Sequence, residues 1–139
     1  MKVFLDSCFL IYLNTMTSEN RKLLEELFKK LLGEQLFINM LVVDEVLYVS
    51  RKYGVAYDVT LDFLRSIILP YTEVLPIEEE DFKPIEKHLV SYDLKPSDAI
   101  HLATMEKAGV SSIVSEDEEF DKVKEVKRIW LNTDSVFEQ

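Results

Sequence analysis

The chain has 139 residues, of which 47% are hydrophobic, so its length suits one domain that buries a substantial core. Its formal net charge of −10 disfavours nonspecific binding to polyanions, because that binding depends on Lys and Arg displacing counterions. The one cysteine, Cys8, excludes an intramolecular disulfide and a multi-thiolate zinc site and favours a reducing compartment. No segment has the roughly 20 uninterrupted apolar residues of a membrane span, so we expect a cytoplasmic protein with no membrane partner.

Apolar runs alternate with amphipathic segments along the first half of the chain. This pattern predicts short buried strands separated by helices. Ser18 is the expected cap of the second helix, and glycines 33, 54 and 109 are each expected to end a helix in the left-handed conformation. The predicted elements are strands at 2–6 and 36–39 and helices at 10–14, after Ser18, and through 41–49.

The second half of the chain continues the same alternation. Pro70 is expected to stop a helix that begins at Tyr57. Strands that alternate with helices imply parallel pairing with right-handed crossovers, and hence an α/β domain with a sheet covered on both faces. The predicted elements are helices at 57–69, 78–90 and 98–108, strands at 73–76, 111–115 and 128–131, and one or two helical turns at 118–123.

Four acidic residues stand where predicted strands end or predicted helices begin. Asp6 closes the first apolar run, and Asp117 follows the run 112–115 with one residue between. Asp98 lies at the start of a helix, and Glu45 lies in a helical stripe that is otherwise apolar. In open α/β sheets ligands collect at the carboxyl ends of the strands, so these acids are candidates for one shared site.

Four converging carboxylates would repel each other unless a cation lay among them. Oxygen ligands select Mg²⁺ or Mn²⁺, and no Cys or His cluster competes with that choice. Such a cation can polarise a phosphoryl oxygen and orient an attacking water. The first hypothesis is therefore metal-assisted hydrolysis of a phosphodiester.

Four segments carry the acids: Phe4–Ser7, Val43–Leu47, Pro96–Ala103 and Val114–Asp121. In their order and spacing, these segments resemble the motif regions of PIN-domain nucleases of the VapC-like toxin type. The resemblance covers nearly the whole chain and implies a three-layer α/β/α sandwich with a central parallel sheet, as a single PIN-like domain over 1–139. It also implies cleavage of RNA that depends on Mg²⁺ or Mn²⁺.

The resemblance also assigns roles and partners. It makes Ser115 a supporting hydroxyl residue, and Asp121, in the same acidic run as Asp117, is a second supporting candidate. Family members tend to form homodimers and to be inhibited by a small antitoxin whose tail fills the acidic groove, and a basic tail would suit this chain. The metal-binding and catalytic acids by resemblance are Asp6, Glu45, Asp98 and Asp117.

One position departs from the family pattern, because Cys8 stands where many members have Asn or Asp. A thiol makes poor hydrogen bonds, so activity is reduced or the site is supported differently. The alternative function is a non-catalytic PIN-fold module for interaction or metal binding. A receiver-type phosphoacceptor and an aspartyl phosphatase rank lower, because Ser7 and Cys8 follow Asp6 where those proteins would have further acids.

The two histidines receive structural interpretations. His101 follows Asp98 on the same helix and is expected to be packed or hydrogen-bonded in the core. His88 is expected to be a surface residue of its helix. Asp44, next to Glu45, is expected to be a first-turn or cap residue with no part in the site.

Overall fold

The computed structural model describes residues 1–131, in which five short strands form one parallel sheet. The strand order is β3-β2-β1-β4-β5, and every neighbouring pair is parallel. All five strands predicted from the sequence are confirmed, with ends that differ by one or two residues. Their bounds are β1 Lys2–Leu5, β2 Gln35–Asn39, β3 Thr72–Leu75, β4 Ser112–Val114 and β5 Lys127–Ile129.

Six α-helices connect these strands within the described residues, and none of the six is long and apolar enough to cross a membrane. Helix α1 contacts α2 and α3, and α3 contacts α4, whereas α5 and α6 pack together, as expected for helical layers on opposite faces of the sheet. The three-layer α/β/α prediction is confirmed. The helices are α1 Ser7–Thr15, α2 Arg21–Leu31, α3 Met40–Lys52, α4 Tyr57–Phe63, α5 Phe82–Tyr92 and α6 Pro96–Lys107.

The centre of the core is β1, whose residues Val3, Phe4 and Leu5 are fully buried on both faces. Such a continuous apolar run is typical of a strand covered by helices on both sides. Because Leu5 is in register with Val114 of β4, the next residues of both strands emerge at the same edge of the sheet. This register brings the start of α1 close to the loop after β4.

The helical segment after Gly54 is less regular than predicted. Helix α4 ends at Phe63, and the chain continues as a π-helical segment, Leu64–Ile68, and a 3₁₀ turn, Leu69–Tyr71. Pro70 therefore does not stop the helix but lies in the first positions of the 3₁₀ turn, where a missing N–H is tolerated. Its fixed φ fits that turn.

The predicted helix ends are partly corrected. Gly54 and Gly109 have φ of +88° and +70°, as predicted, but Gly33 does not adopt a positive φ. Its N–H donates to the carbonyl of Lys30 at 3.3 Å, which closes the helix end with a tight turn. Ser18 is not the cap of α2, because its hydroxyl accepts from the N–H of Asn20, the actual N-cap.

His88 is buried, with 3% of its surface exposed, so its prediction as a surface residue is wrong. It lies on the same stripe of α5 as Ile85 and Tyr92, and its ring stacks on Tyr92 with centroids 5.9 Å apart. Its Nε2 lies 2.6 Å from Oε1 of Glu106, but neither ring nitrogen makes a well-directed hydrogen bond within residues 1–131. Tertiary packing of α5 on α6 overrides the polarity of this position.

Candidate active site

A cavity of about 590 Å³ opens at the carboxyl edge of the sheet. Within the described part of the chain, seven of its lining residues are acidic and one, Lys95, is basic. All four acids predicted from the sequence line it. The lining residues are Asp6, Ser7, Cys8, Glu45, Lys95, Ser97, Asp98, Glu116, Asp117, Glu118 and Glu119.

Asp6 lies at the junction of β1 and α1 and is held by two hydrogen bonds. Its Oδ1 accepts from the backbone N–H of Ser7 at 2.8 Å, which caps α1, and its Oδ2 accepts from the hydroxyl of Ser115 at 2.6 Å. The residue is 6% exposed, and this burial raises its pKa. One local and one long-range hydrogen bond therefore fix the carboxylate in place even though its charge is costly there.

Ser115 follows β4 and connects the first acid to the last. Its hydroxyl donates to Asp6 and accepts from the backbone N–H of Asp117 at 3.0 Å. The Asp117 carboxylate in turn accepts from the N–H of Glu119 at 3.0 Å and so caps the following 3₁₀ turn. One buried hydroxyl thus couples the ends of β1 and β4.

Cys8 lies between the same groups. Its Sγ is 3.8 Å from both Oδ2 of Asp6 and Oγ of Ser115, and burial raises its pKa to about 12. The thiol is therefore neutral and a weak partner, whereas the Ser115 hydroxyl makes the short contact with Asp6. The side-chain hydrogen bond that orients Asp6 therefore comes from Ser115 and not from Cys8.

Asp98 lies in the first turn of α6 and is 7% exposed. No donor within residues 1–131 makes a hydrogen bond to its Oδ2, although that oxygen is buried. Burial, and then the nearby charges of Asp6 and Asp117, raise the pKa of Asp98 to about 7. An unpaired buried carboxylate oxygen is rare and costly, so this atom is poised to contact a cation.

Glu45 projects from α3 and contacts His101 of α6. Its Oε1 lies 2.8 Å from Nε2 of His101. The same Nε2 lies 3.9 Å from Oδ1 of Asp6. His101 is fully buried, so its predicted core position is confirmed, but it reaches the site as well. Sequence reasoning missed its partners Asn39 and Thr104. The available signal was Asn39, a polar residue directly at the end of a strand.

The donor set fits a hard divalent cation. Asp6, Asp98 and His101 each offer one atom within 4.8 Å of the others, and Glu45 and Asp117 line the same cavity. Oxygen atoms dominate, two of the carboxyls have raised pKa values, and one buried oxygen has no hydrogen-bond partner among the described residues. Mg²⁺ or Mn²⁺ would satisfy that oxygen and offset the repulsion.

Two other acids lie apart from the cavity. Asp121 accepts from Nε and Nη2 of Arg128 at 3.0 and 3.2 Å, and the same guanidinium donates to the carbonyl of Ser115 at 3.1 Å. Asp121 therefore reaches the site only through Arg128. Asp44 is exposed on α3 and does not line the cavity, but its prediction as a first-turn or cap residue is wrong, because Asn39 caps α3 and the first turn contains no acid.

The fold and this cavity define a class of protein: a three-layer α/β/α domain with an acidic site at the carboxyl edge of a parallel sheet. Comparison with known families is consistent with that class. The profile of the PIN domain matches residues 3–126. The chain belongs to the PIN domain family.

Individual relatives carry VapC names. A VapC ribonuclease of Mycobacterium bovis is 31% identical over 100 residues, which span 70% of this chain and 74% of the relative. The crystal structure of VapC20 from Mycobacterium tuberculosis, a Sarcin-Ricin loop cleaving toxin, matches with a TM-score of 0.73 at 16% identity, covering 90% of this chain and 98% of that one. VapBC2 from Rickettsia felis, bound to a promoter DNA fragment, matches with a TM-score of 0.70 at 10% identity, covering 94% and 98%.

Proposed function

We propose that this protein is a divalent-metal-dependent endoribonuclease and the toxin of a toxin–antitoxin pair. The observation that carries the proposal is the buried, unpaired Oδ2 of Asp98 in a cavity where the other three predicted acids converge. Family membership and the ribonuclease name of a relative at 31% identity support the choice of RNA as substrate.

Asp6, Glu45, Asp98 and Asp117 would hold Mg²⁺ or Mn²⁺. A cation held by these residues would offset the charge of the carboxylates and would supply the positive charge that polarises a phosphodiester for attack. The chain's own part is to fix the acids: the Ser7 N–H and the Ser115 hydroxyl orient Asp6, and the first turn of α6 orients Asp98. These contacts exist before substrate arrives, which is the preorganisation that a charged site requires.

The acidity of the cavity shapes how RNA would enter it. Lys95 is exposed at the rim and is the basic residue among the lining side chains that the structure describes. Its ammonium can contact a phosphate beside the scissile one, whereas the acids repel RNA in the absence of metal. We therefore expect RNA affinity, and not only the rate of cleavage, to depend on the divalent cation.

The proposed partners are a small antitoxin protein and a second copy of this chain. Solved structures with the same fold include toxin–antitoxin complexes from Klebsiella pneumoniae and Rickettsia felis. A net charge of −10 and an acid-lined cavity suit an antitoxin with a basic tail. Such a tail would supply the cations that Asp98 and its neighbours lack.

The test is cleavage of a labelled pool of structured RNA by purified protein with Mn²⁺, Mg²⁺ or EDTA. The Asp6→Asn/Asp98→Asn double variant is compared with Glu45→Gln and with Asp44→Asn, its neighbour outside the cavity. We expect metal-dependent cleavage that is lost in the double variant and in Glu45→Gln but kept in Asp44→Asn. If the wild-type protein binds Mn²⁺ by calorimetry and cleaves nothing, the non-catalytic interaction module replaces the nuclease.

A further inference from the structure

We infer that Asn39 fixes the neutral tautomer of His101 that carries its proton on Nε2, so that His101 orients Glu45 as a hydrogen-bond donor and is not a metal ligand. This inference rests on the proposed function of the same cavity and assigns a positioning role within it. It is carried by three fully buried side chains, Asn39, His101 and Thr104.

The orientation of the Asn39 amide follows from its role at the start of α3. Its Oδ1 accepts from the backbone N–H of Val42 at 3.0 Å and thereby caps the helix. A flipped amide would place two N–H donors against each other at this contact. Nδ2 must therefore point the other way, toward α6.

Nδ2 of Asn39 can only donate, and it has two neighbours. One is Oγ1 of Thr104 at 3.1 Å, whose own hydroxyl proton is directed to the carbonyl of His101 at 2.8 Å. The other is Nδ1 of His101 at 3.1 Å. Because an amide N–H faces Nδ1, that nitrogen uses its lone pair as an acceptor, and the ring proton resides on Nε2.

The Nε2–H then faces the acids. It donates to Oε1 of Glu45 at 2.8 Å, while Oδ1 of Asp6 lies farther away at 3.9 Å. A protonated nitrogen has no lone pair for a metal, so His101 cannot join Asp6 and Asp98 as a ligand in this state. Its role is to hold the partly exposed Glu45 side chain toward the cavity. Groups that are hydrogen-bonded to metal ligands commonly orient them in this way.

The first test reads the tautomer directly, with no RNA and no turnover. The protein is labelled with ¹⁵N-histidine, and its two histidines are distinguished by the loss of one set of signals in His101→Gln. Two-bond ¹H–¹⁵N spectra are expected to show an unprotonated Nδ1 and a protonated Nε2 for His101, unchanged at saturating Mg²⁺. An unprotonated Nε2, or loss of its proton when Mg²⁺ binds, would overturn the inference.

The Asn39→Asp variant tests the source of the tautomer. The carboxylate introduced there still accepts from the N–H of Val42 but offers no N–H to the ring, so Nδ1 of His101 is expected to gain a proton. A His101 spectrum identical to that of the wild type would show that Asn39 does not set the tautomer.

The second test separates a donor from a ligand. Gln at position 101 keeps an N–H close to the place of Nε2, whereas Leu keeps none. By calorimetry, His101→Leu is expected to bind Mn²⁺ about 10-fold to 100-fold more weakly than wild type, and His101→Gln to stay close to wild type. Folded His101→Gln that binds as weakly as His101→Leu, or His101→Leu that binds as wild type, would contradict the positioning role. Neither result depends on RNA cleavage, so failure of the proposed nuclease is recognised separately.

Discussion

Two acidic clusters lie in different parts of the molecule, and they differ in what balances their charge. The first surrounds Lys107, the last residue of α6, where the 3₁₀ turn Glu79–Asp81 before α5 packs on that helix. The ammonium lies 3.4 Å from Glu78, 3.6 Å from Glu80 and 3.0 Å from Asp81, which is 2% exposed. Asp81 also accepts from the backbone N–H of Glu78 at 2.8 Å, which completes a capping box. This cluster, the Lys107 cluster, contains its own cation.

The second cluster is the candidate active-site cavity, which contains no such internal cation within the part of the chain that the structure describes. Lys95 is exposed at its rim, and the buried Oδ2 of Asp98 has no hydrogen-bond partner among residues 1–131. Burial raises the pKa of both Asp6 and Asp98. The comparison teaches that acids with a structural role are neutralised within the chain, whereas the acids of the site leave negative charge for a cation from outside.

The largest expected effect is at Asp98. Asp98→Asn removes the unpaired carboxylate that a divalent cation would contact, so we expect RNA cleavage to fall roughly 10³-fold, as for loss of a group that stabilises developing charge. Initial rates with Mn²⁺ measure the effect, and Asp44→Asn is the matched control. Cleavage at the wild-type rate in Asp98→Asn would remove this acid from the site.

The Lys107 cluster is expected to respond in stability and not in activity. Lys107→Met leaves Asp81 buried without its cation, so the free energy of unfolding should fall by clearly more than in a variant of an exposed lysine. Urea denaturation measures this, with Lys95→Met as a control that changes stability by less than about 0.5 kcal/mol. If Lys107→Met instead abolishes Mn²⁺ binding while stability is kept, the two clusters are not separate.

A smaller effect is expected from pH in metal-free protein. The pKa of Asp98 rises from 3.8 to about 7 on folding, so the folded state binds this proton more tightly than the unfolded state. The resulting stability is fully present below pH 3.8 and is lost as pH rises toward 7, by about 2 kcal/mol after allowance for solvent in the cavity. Urea denaturation between these pH values measures the loss. Mg²⁺ or Asp98→Asn should flatten the dependence, and a slope that persists in Asp98→Asn would assign it to another group.

The smallest effect is expected at Asp121, which pairs with Arg128 at a largely exposed position. Asp121→Asn should cost less than about 1 kcal/mol of stability and leave the cleavage rate close to that of the wild type. Thermal unfolding and RNA cleavage measure the two. A strong loss of cleavage would show that the contact from Arg128 to the Ser115 carbonyl positions the site, the supporting role predicted for Asp121 from the sequence.

Strands β1, β2 and β4 were predictable because each contains a short apolar run bounded by polar residues. Strands β3 and β5 are only partly apolar, and their prediction depended on the alternation of strands with helices. The position of Asp6 and Asp117 after such runs also predicted that they would share one edge, since parallel strands end together. These signals are local. They require only the spacing of apolar residues along the sequence and the rule that strands joined through a helix pair in parallel with a right-handed crossover.

The hydrogen-bond network of His101 was not predictable in the same way. His101 was correctly expected in the core, but its partner Asn39 lies 62 residues away, and no local pattern indicates that the two side chains meet. His88 was expected at the surface but is 3% exposed, whereas the apolar Val90 of the same helix is 82% exposed. Packing between the two helices decides which face of α5 is buried against α6. The spacing of apolar residues in α5 does not identify that face.

The hydroxyl of Ser115 joins Asp6 across 109 residues of sequence, and this separation has a consequence during synthesis. The nascent chain emerges from the ribosome with its N-terminus first, so β1, β2 and β3 can pair before β4 has been synthesised. Such a nascent chain lacks both Ser115 and Asp117, and its Asp6 has no access to the 2.6 Å hydrogen bond that orients it. The acidic site is therefore completed only when nearly the whole domain has emerged, so an incomplete chain would be an inert one.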